Sequence, residues 1–317
     1  MDYDVLVVGR PTCDAIFTGL SRWPEPGREN YADGLSVTAG GAFNFAAAAR
    51  RLSLKVAFAG IAGNDLWSRF VCEEFGAEGI DTGLLKLVDR PLPAVSVAVN
   101  ADGDRGFITH ESDTEAADAA MLDHVLEVIS RVRAGYVHLH LVPWLAAVAR
   151  AATDRGMKVS VDTWGYEPWL TSRAIWDLAP LGDVLSMNDA EAITMTGAPD
   201  VYGALEELGA LSAYVVIKCG ARGAMAAVEG RLYEAPTAPL PVLDATGAGD
   251  CFNAGLLYGL LKDLSPECCL ALGNICGGLS VGSVGGYSGA PSEAELLEAA
   301  RRLGLGVPPP RAGPSSA

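Results

Sequence analysis

The sequence predicts an α/β fold, with helices packed on a mostly parallel central sheet and a small second β-sheet lying over one edge as a lid. Three observations carry this. From residue 116 onward, stretches with helical spacing of apolar residues alternate regularly with short apolar runs, the pattern of a parallel sheet with right-handed crossovers. The runs at 5–8 (Val-Leu-Val-Val) and 214–217 (Tyr-Val-Val-Ile) are apolar throughout, as strands buried on both faces are. Residues 95–99, by contrast, alternate strictly. A polar turn and a second short stretch at 105–109 follow, making a hairpin with one solvated face set into the α/β chain.

Composition narrows the function. The chain has 317 residues, half of them hydrophobic, ample for one large domain. A net charge of −16 repels nucleic acid and anionic membranes. No apolar run approaches the length of a membrane span, and the acidic Met-Asp-Tyr-Asp start leads straight into a strand, unlike a signal peptide. Seven cysteines, an odd number without a C-x-x-C pair, fit reduced thiols in a cytoplasmic protein.

In order, the first strand ends at Gly9, and Asp14 follows a proline turn. Ligands of open α/β sheets collect beyond the carboxyl ends of strands, so Asp14 is placed to accept hydrogen bonds from substrate hydroxyls. Short strands are expected at 16–18 and 35–38. Gly40 and Gly41 then let backbone approach a ligand closely before a helix over 45–52, and Asn44 offers both donor and acceptor to a polyol. A strand at 55–60 precedes a helix that Gly63-Asn64-Asp65 caps and that runs to Phe75. After the hairpin come a helix over 116–132, a strand at 136–141, a helix over 144–155, strand 158–162, helix 172–179 and strand 183–187. Asn188 and Glu191, at i and i+3, open the next helix on one face, an arrangement that also suits a capping box. Strand 214–218 ends in Cys219-Gly220-Ala221-Arg222-Gly223, and 224–235 form a hairpin. His138 and His140 share a strand face with no third ligand nearby, which is poor for a metal.

The stretch Asp244-Ala-Thr-Gly-Ala-Gly-Asp250 organises the rest. A glycine-rich turn opens into a buried helix marked by Phe252, Leu256, Leu257, Leu260 and Leu261. Its first amides lack partners and sit at the positive end of the helix dipole, so Gly247, Ala248 and Gly249 can bind an anion. Asp250 at the mouth of that hole can take a proton from a hydroxyl attacking a bound phosphoryl group. An ordinary helix cap by Asp250 fits the spacing equally well. Further helices follow over 265–279 and 292–303, with a glycine-rich loop at 281–288 between them.

The motif at 244–250, with Phe252, Ala254 and Gly255 after it, resembles the C-terminal signature of the ribokinase-like (PfkB-type) carbohydrate kinases. The motifs near residues 40, 188 and 218 follow in that family's order, although only Ala42 and Phe43 stand between Gly-Gly and Asn where the family usually has three residues. The resemblance implies a ribokinase-like three-layer sandwich over 1–305, with lid segments near 10–38 and 92–112, and a disordered tail at 306–317. It implies an ATP-dependent kinase acting on a hydroxyl of a small sugar, in which Asp250 is the base and residues 247–249 form the anion hole. Asp14, Gly40, Gly41 and Asn44 would hold the sugar. Asn188, Glu191, Lys218, Gly220, Gly223 and Asn274 would line the nucleotide site, with Glu191 acting on Mg²⁺ through water. Asp244, Thr246, Val281, Val284 and Gly286 would hold a monovalent cation, K⁺. Lid sheets of this kind pair between subunits, which implies a homodimer, and Phe107 and His110 would stand near the site. A nucleoside kinase of the same fold is the alternative, with Phe43 as a stacking residue. A non-catalytic sugar sensor is a second.

Overall fold

The computed structural model describes residues 2–101, 104–112, 114–163, 167–238 and 240–307. Its strands are β1 (Tyr3–Val8), β2 (Pro11–Leu20), β3 (Gly34–Gly41), β4 (Val56–Ala62), β5 (Leu85–Leu87), β6 (Ala94–Ala101), β7 (Asp104–Glu111), β8 (Ala134–His140), β9 (Lys158–Asp162), β10 (Val184–Asn188), β11 (Tyr214–Lys218), β12 (Ala224–Val228) and β13 (Arg231–Ala235). Its helices are α1 (Ala42–Arg51), α2 (Leu66–Ala77), α3 (Thr114–Arg131), α4 (Ala146–Asp154), α5 (Glu167–Leu170), α6 (Arg173–Leu178), α7 (Asp189–Thr196), α8 (Val201–Gly209), α9 (Ala248–Leu261), α10 (Pro266–Ser280) and α11 (Glu293–Arg302).

Nine strands form the central sheet in the order β13-β12-β11-β10-β9-β8-β1-β4-β5, parallel from β11 to β5, with β12 and β13 antiparallel at one edge. The uniformly apolar strands explain the layers. In β1, Val5 and Val7 enter one core with α1, α9 and α10, while Leu6 and Val8 enter the other with α3, α4 and α8. Tyr214 and Val216 of β11 likewise face the first core, and Val215 and Ile217 the second. Such strands need a helical layer on each side, and the result is a three-layer α/β/α sandwich.

The lid is a four-stranded sheet ordered β3-β2-β6-β7. Its strands are longer than the sequence suggests. β2 starts at Pro11 and runs for ten residues, so Asp14 lies inside a strand and not after a turn. Proline is tolerated at the first position of a strand, which is why the turn-like Pro-Thr-Cys-Asp is misleading. Arg10, at the root of β2, bonds Glu111 and the Ser112 carbonyl at the end of β7, both at 3.3 Å, and so ties two stems of the lid together. The outer face carries Leu35, Val37 and Ile108, all exposed.

Two helix starts also differ. α1 begins at Ala42, so Asn44 is in its first turn, with Gly41 as N-cap at φ 59°. α9 begins at Ala248, so only Gly247 makes the turn, and Ala248, Gly249 and Asp250 are already helical. The tail beyond residue 307 lies outside the described residues, as do 102 and 103 of the hairpin turn.

Candidate active site

The site forms where the carboxyl ends of β9, β10 and β11 meet the first turns of α7 and α9. Gly247 caps α9 at φ 67°, a left-handed conformation that favours glycine, and a Cβ there would lie 1.9 Å from the Gly286 carbonyl oxygen. No side chain caps this helix end. Asp250 is the third helical residue, so the N-cap role does not belong to it. Burial pushes its carboxyl up to about 7, helped by the negative charge of Asp162 and, less, of Asp14, against the pull of Lys218 and Asn44.

Lys218, at the end of β11, extends beneath this helix end. Its Nζ bonds Asp162 Oδ1 at 2.8 Å and lies 3.1 Å from where a Cβ on Gly249 would be. Burial favours the neutral amine, but Asp162 and Glu191 outweigh it and hold the ammonium charged. Glu191 accepts the Asn188 amide at 2.8 Å and the Thr163 hydroxyl, and Asn188 Oδ1 accepts the Glu191 amide at 2.8 Å, a complete capping box. Arg222 pairs with Asp189 at 2.7 Å on the surface nearby. Gly220 and Gly223 have φ of 56° and 92°, and a Cβ on Gly223 would meet the Ala235 carbonyl oxygen at 2.1 Å.

On the lid side, Asp14 is only 8% exposed, and burial, then Asp244, pushes its carboxyl up to about 7. Gly40 is required opposite it, since a Cβ would stand 2.0 Å from Asp14 Oδ2. Asn44 is buried beside Asp250 and favours its charged form, while the Asn44 Oδ1 atom has no hydrogen-bond partner. Asp14, Asn44 and Asp250 therefore converge, with the Gly-Gly backbone behind them.

Asp244 is buried. Its Oδ1 accepts the Thr246 amide at 3.0 Å and hydroxyl at 2.7 Å, and its Oδ2 accepts the Gly285 amide at 3.0 Å. The Val281 carbonyl already accepts the Leu243 and Asp244 amides at 2.8 and 3.2 Å. The Gly286 carbonyl accepts the Cys251 thiol at 3.6 Å, and a Cβ on Gly286 would meet Asn44 Oδ1 at 2.3 Å.

Several sequence candidates have structural work. Asn274 is buried and donates to the Ala235 carbonyl at 2.7 Å, tying α10 to β13. Asp65 caps α2 through the Trp67 and Ser68 amides, and Asn64 bonds Asp89. Phe43 is fully buried against Phe75 and Tyr287, at ring distances of 4.8 and 5.0 Å, so it presents no face to a ligand. His110 bonds Ser112 at 3.0 Å. His138 stacks on Phe45 at 3.7 Å and meets Ser160 Oγ at 3.2 Å. Among the described residues no three His, Cys, Asp or Glu side chains group to hold a metal. Sequence reasoning passed over Asp162, Thr163 and Thr38. Asp162 ends β9 and Thr163 follows it, a polar pair at the sheet's carboxyl edge, the one signal that could have marked them.

The uncapped start of α9, the buried carboxyls beside it and the Gly40-Gly41 backbone lie under the β lid of a sandwich that has the ribokinase-like fold. Residues 3–293 match the profile described as pfkB family carbohydrate kinase, and the chain belongs to that family of phosphotransferases. It is 25% identical over 309 residues to a ribokinase of Haemophilus influenzae, covering 92% of this chain and 96% of that one. It is 29% identical over 297 residues to an ATP-dependent ribose-1-phosphate kinase of Halopiger xanaduensis, covering 92% and 96%. Among solved structures, Arabidopsis thaliana ribokinase complexed with ribose and ATP superposes with a TM-score of 0.77 at 24% identity, covering 94% and 98%. A Burkholderia thailandensis nucleoside kinase in complex with inosine superposes at 0.80 with 18% identity, covering 95% and 97%. These two likenesses concern the fold.

Proposed function

We propose that the protein transfers the γ-phosphoryl group of ATP to a hydroxyl of a small sugar. The observation that carries this reading is the convergence of Asp250, Asn44 and Asp14 beside the uncapped start of α9. Asp14 and Asn44 hold the sugar, with the backbone of Gly40 and Gly41 against it. Asp250 accepts the proton of the attacking hydroxyl as its oxygen bonds phosphorus and the bond to the leaving ADP breaks. The amides at 247–249 and the Lys218 ammonium, which lies beside the same helix end, offset the charge on the transferring group.

The turn at 218–223, with Gly220 and Gly223 in left-handed conformations, borders the remaining phosphates, and Asn274 braces the wall behind the base of the nucleotide. Mg²⁺ suits a donor set this sparse only if it arrives on the nucleotide, with Asn188 and Glu191 contacting its water shell. Bound there, it would neutralise phosphate charge. Asp244 with Thr246 and the 284–286 backbone suits a monovalent cation, while the doubly bonded Val281 carbonyl contributes less. The exposed apolar outer face of the lid supports a homodimer formed through it.

The burial of Phe43, the stacking residue expected for a nucleoside kinase, favours a sugar over a nucleoside, because its ring is closed to a base. The test is ATP consumption with Mg²⁺ and K⁺ against pentoses, hexoses, sugar acids and nucleosides. Turnover with a sugar is expected, and Asp250→Asn should lower kcat about 10²–10⁴-fold. A variant with most of the wild-type rate would sink the assignment of the base.

A further inference from the structure

The segment between α10 and α11 has neither helix nor strand over 281–289, yet residues 285–287 in its middle are buried. The start of α9 rests on this segment. A Cβ on Gly247 would meet the Gly286 carbonyl oxygen at 1.9 Å, and a Cβ on Gly286 would meet Asn44 Oδ1 at 2.3 Å. The same carbonyl accepts the Cys251 thiol at 3.6 Å. The turn that opens α9 therefore takes its position from a loop. A loop with no ladder of its own keeps a fixed position only through bonds from outside it.

Arg51 supplies such bonds. It is the last residue of α1, and its guanidinium spans two elements. Nε and Nη2 bond the carboxylate of Glu78, the C-cap of α2, at 3.0 and 2.7 Å. Nη1 donates to the carbonyls of Tyr287 and Ser288 at 3.0 Å and of Ala290 at 3.3 Å. The guanidinium also lies over the Tyr287 ring, 5.2 Å from its centroid, and the Tyr287 hydroxyl bonds Glu74, a turn earlier on α2. Carbonyls turned to one point repel one another, and a cation among them offsets that repulsion. Arginine suits the place because its rigid fork takes a carboxylate on one edge and keeps donors for the carbonyls, which the single ammonium of a lysine cannot do in one geometry.

We propose that Arg51 is a positioning residue for phosphoryl transfer. Held between Glu78 and the 287–290 carbonyls, its guanidinium fixes the loop. The Gly286 backbone then fixes the Gly247 turn, and with it the first amides of α9 and Asp250. Helix α1 serves the site at both ends, with Asn44 in its first turn and the clamp in its last. A misplacement of about 1 Å at a reacting group can cost roughly 10²-fold in rate, so a side chain that never meets the substrate can still govern turnover. This inference rests on the kinase reading above.

The experiment compares the full-length wild type with Arg51→Met and Arg51→Lys, at a temperature where thermal unfolding shows each protein to be folded. Steady-state kinetics with ATP and the accepted sugar give the first readout. Hydrogen exchange of residues 244–251 and 285–290, without ligands, gives the second. Arg51→Met should lower kcat about 10–10²-fold while the KM for ATP changes little, since what is lost is alignment in the transition state. Arg51→Lys keeps the charge without the fork and should stay close to Arg51→Met. Exchange should rise at 244–251 as well as at 285–290. If Arg51→Met does not fold, Glu78→Gln carries the test, because it keeps the arginine and weakens its anchor; kcat should then fall about 3–10-fold with the same rise in exchange at 244–251. A wild-type kcat in a folded Arg51→Met or Arg51→Lys, or faster exchange confined to 285–290, would make the clamp a matter of stability alone. That result would overturn the inference and leave the kinase reading standing. A wild type that turns over ATP with no acceptor would overturn the kinase reading, and this inference with it.

Discussion

Asp14 and Asp250 are two buried carboxyls that share one cradle and are both pushed up to about 7. On the proposed mechanism the working form of Asp250 is the carboxylate, so kcat/KM is expected to rise with pH through a limb near 7. Asp162 is a negative neighbour that disfavours that carboxylate. Replacing it, Asp162→Asn, removes the repulsion and leaves Lys218 unpaired beside Asp250, so the limb should move to lower pH; pH–rate profiles of the two proteins check this. The same shift bears on stability. A carboxyl raised from 3.8 to about 7 on folding favours the native state fully below the unfolded value and loses that contribution as pH climbs through 7. Asp250→Asn, which never ionises, should therefore melt at the wild-type temperature near pH 4 and above it at pH 8, measured by thermal unfolding without ligands. Asp250 stood out in the sequence because the glycine-rich turn that opens its helix adjoins it. Thr38, Asp162 and Thr163 were not, because what they face comes from strands and helices distant in the chain, and nothing local distinguishes them from other strand residues.

Among the elements, α9 depends on the single left-handed residue at its start. Gly247→Ala would force φ of 67° on a residue with a Cβ, at about 1–2 kcal/mol, and drive that Cβ into the Gly286 carbonyl. The helix end must then shift, and with it the amides and Asp250. The expected outcome is a fall of at least about 10²-fold in kcat with a lowered melting temperature, read by steady-state kinetics and thermal unfolding. Gly247 was visible as part of a glycine-rich stretch, but which glycine turns and which is helical was not. Gly249 looks the same in sequence, yet it lies within the helix, where its missing side chain leaves room for Lys218. The boundaries of β2 and β3 were hidden for a related reason. Pro11, Asp14, Gly40 and Gly41 carry turn chemistry, and only cross-strand pairing turns them into strand.

At the scale of the molecule, the sandwich was readable because its parallel strands are apolar on both sides, and the alternation with helices allows few topologies. The lid was harder, since its strands come from separate stretches of chain and pair parallel as well as antiparallel. Its outer face makes the assembly testable. If Leu35, Val37 and Ile108 meet a second copy, the wild type should sediment as a dimer. Ile108→Glu, which buries a charge in that contact, should shift it to monomer while leaving the melting temperature of the monomeric fold within a few degrees.

Gly286 has no side chain, and its backbone lies against Gly247, Asn44 and the Cys251 thiol. On the proposed function these three border the phosphoryl end, the sugar and the base, so a shift at one end would press on the backbone that borders the other. Sugar and nucleotide are then expected to act as heterotropic effectors, each tightening the other by the same factor.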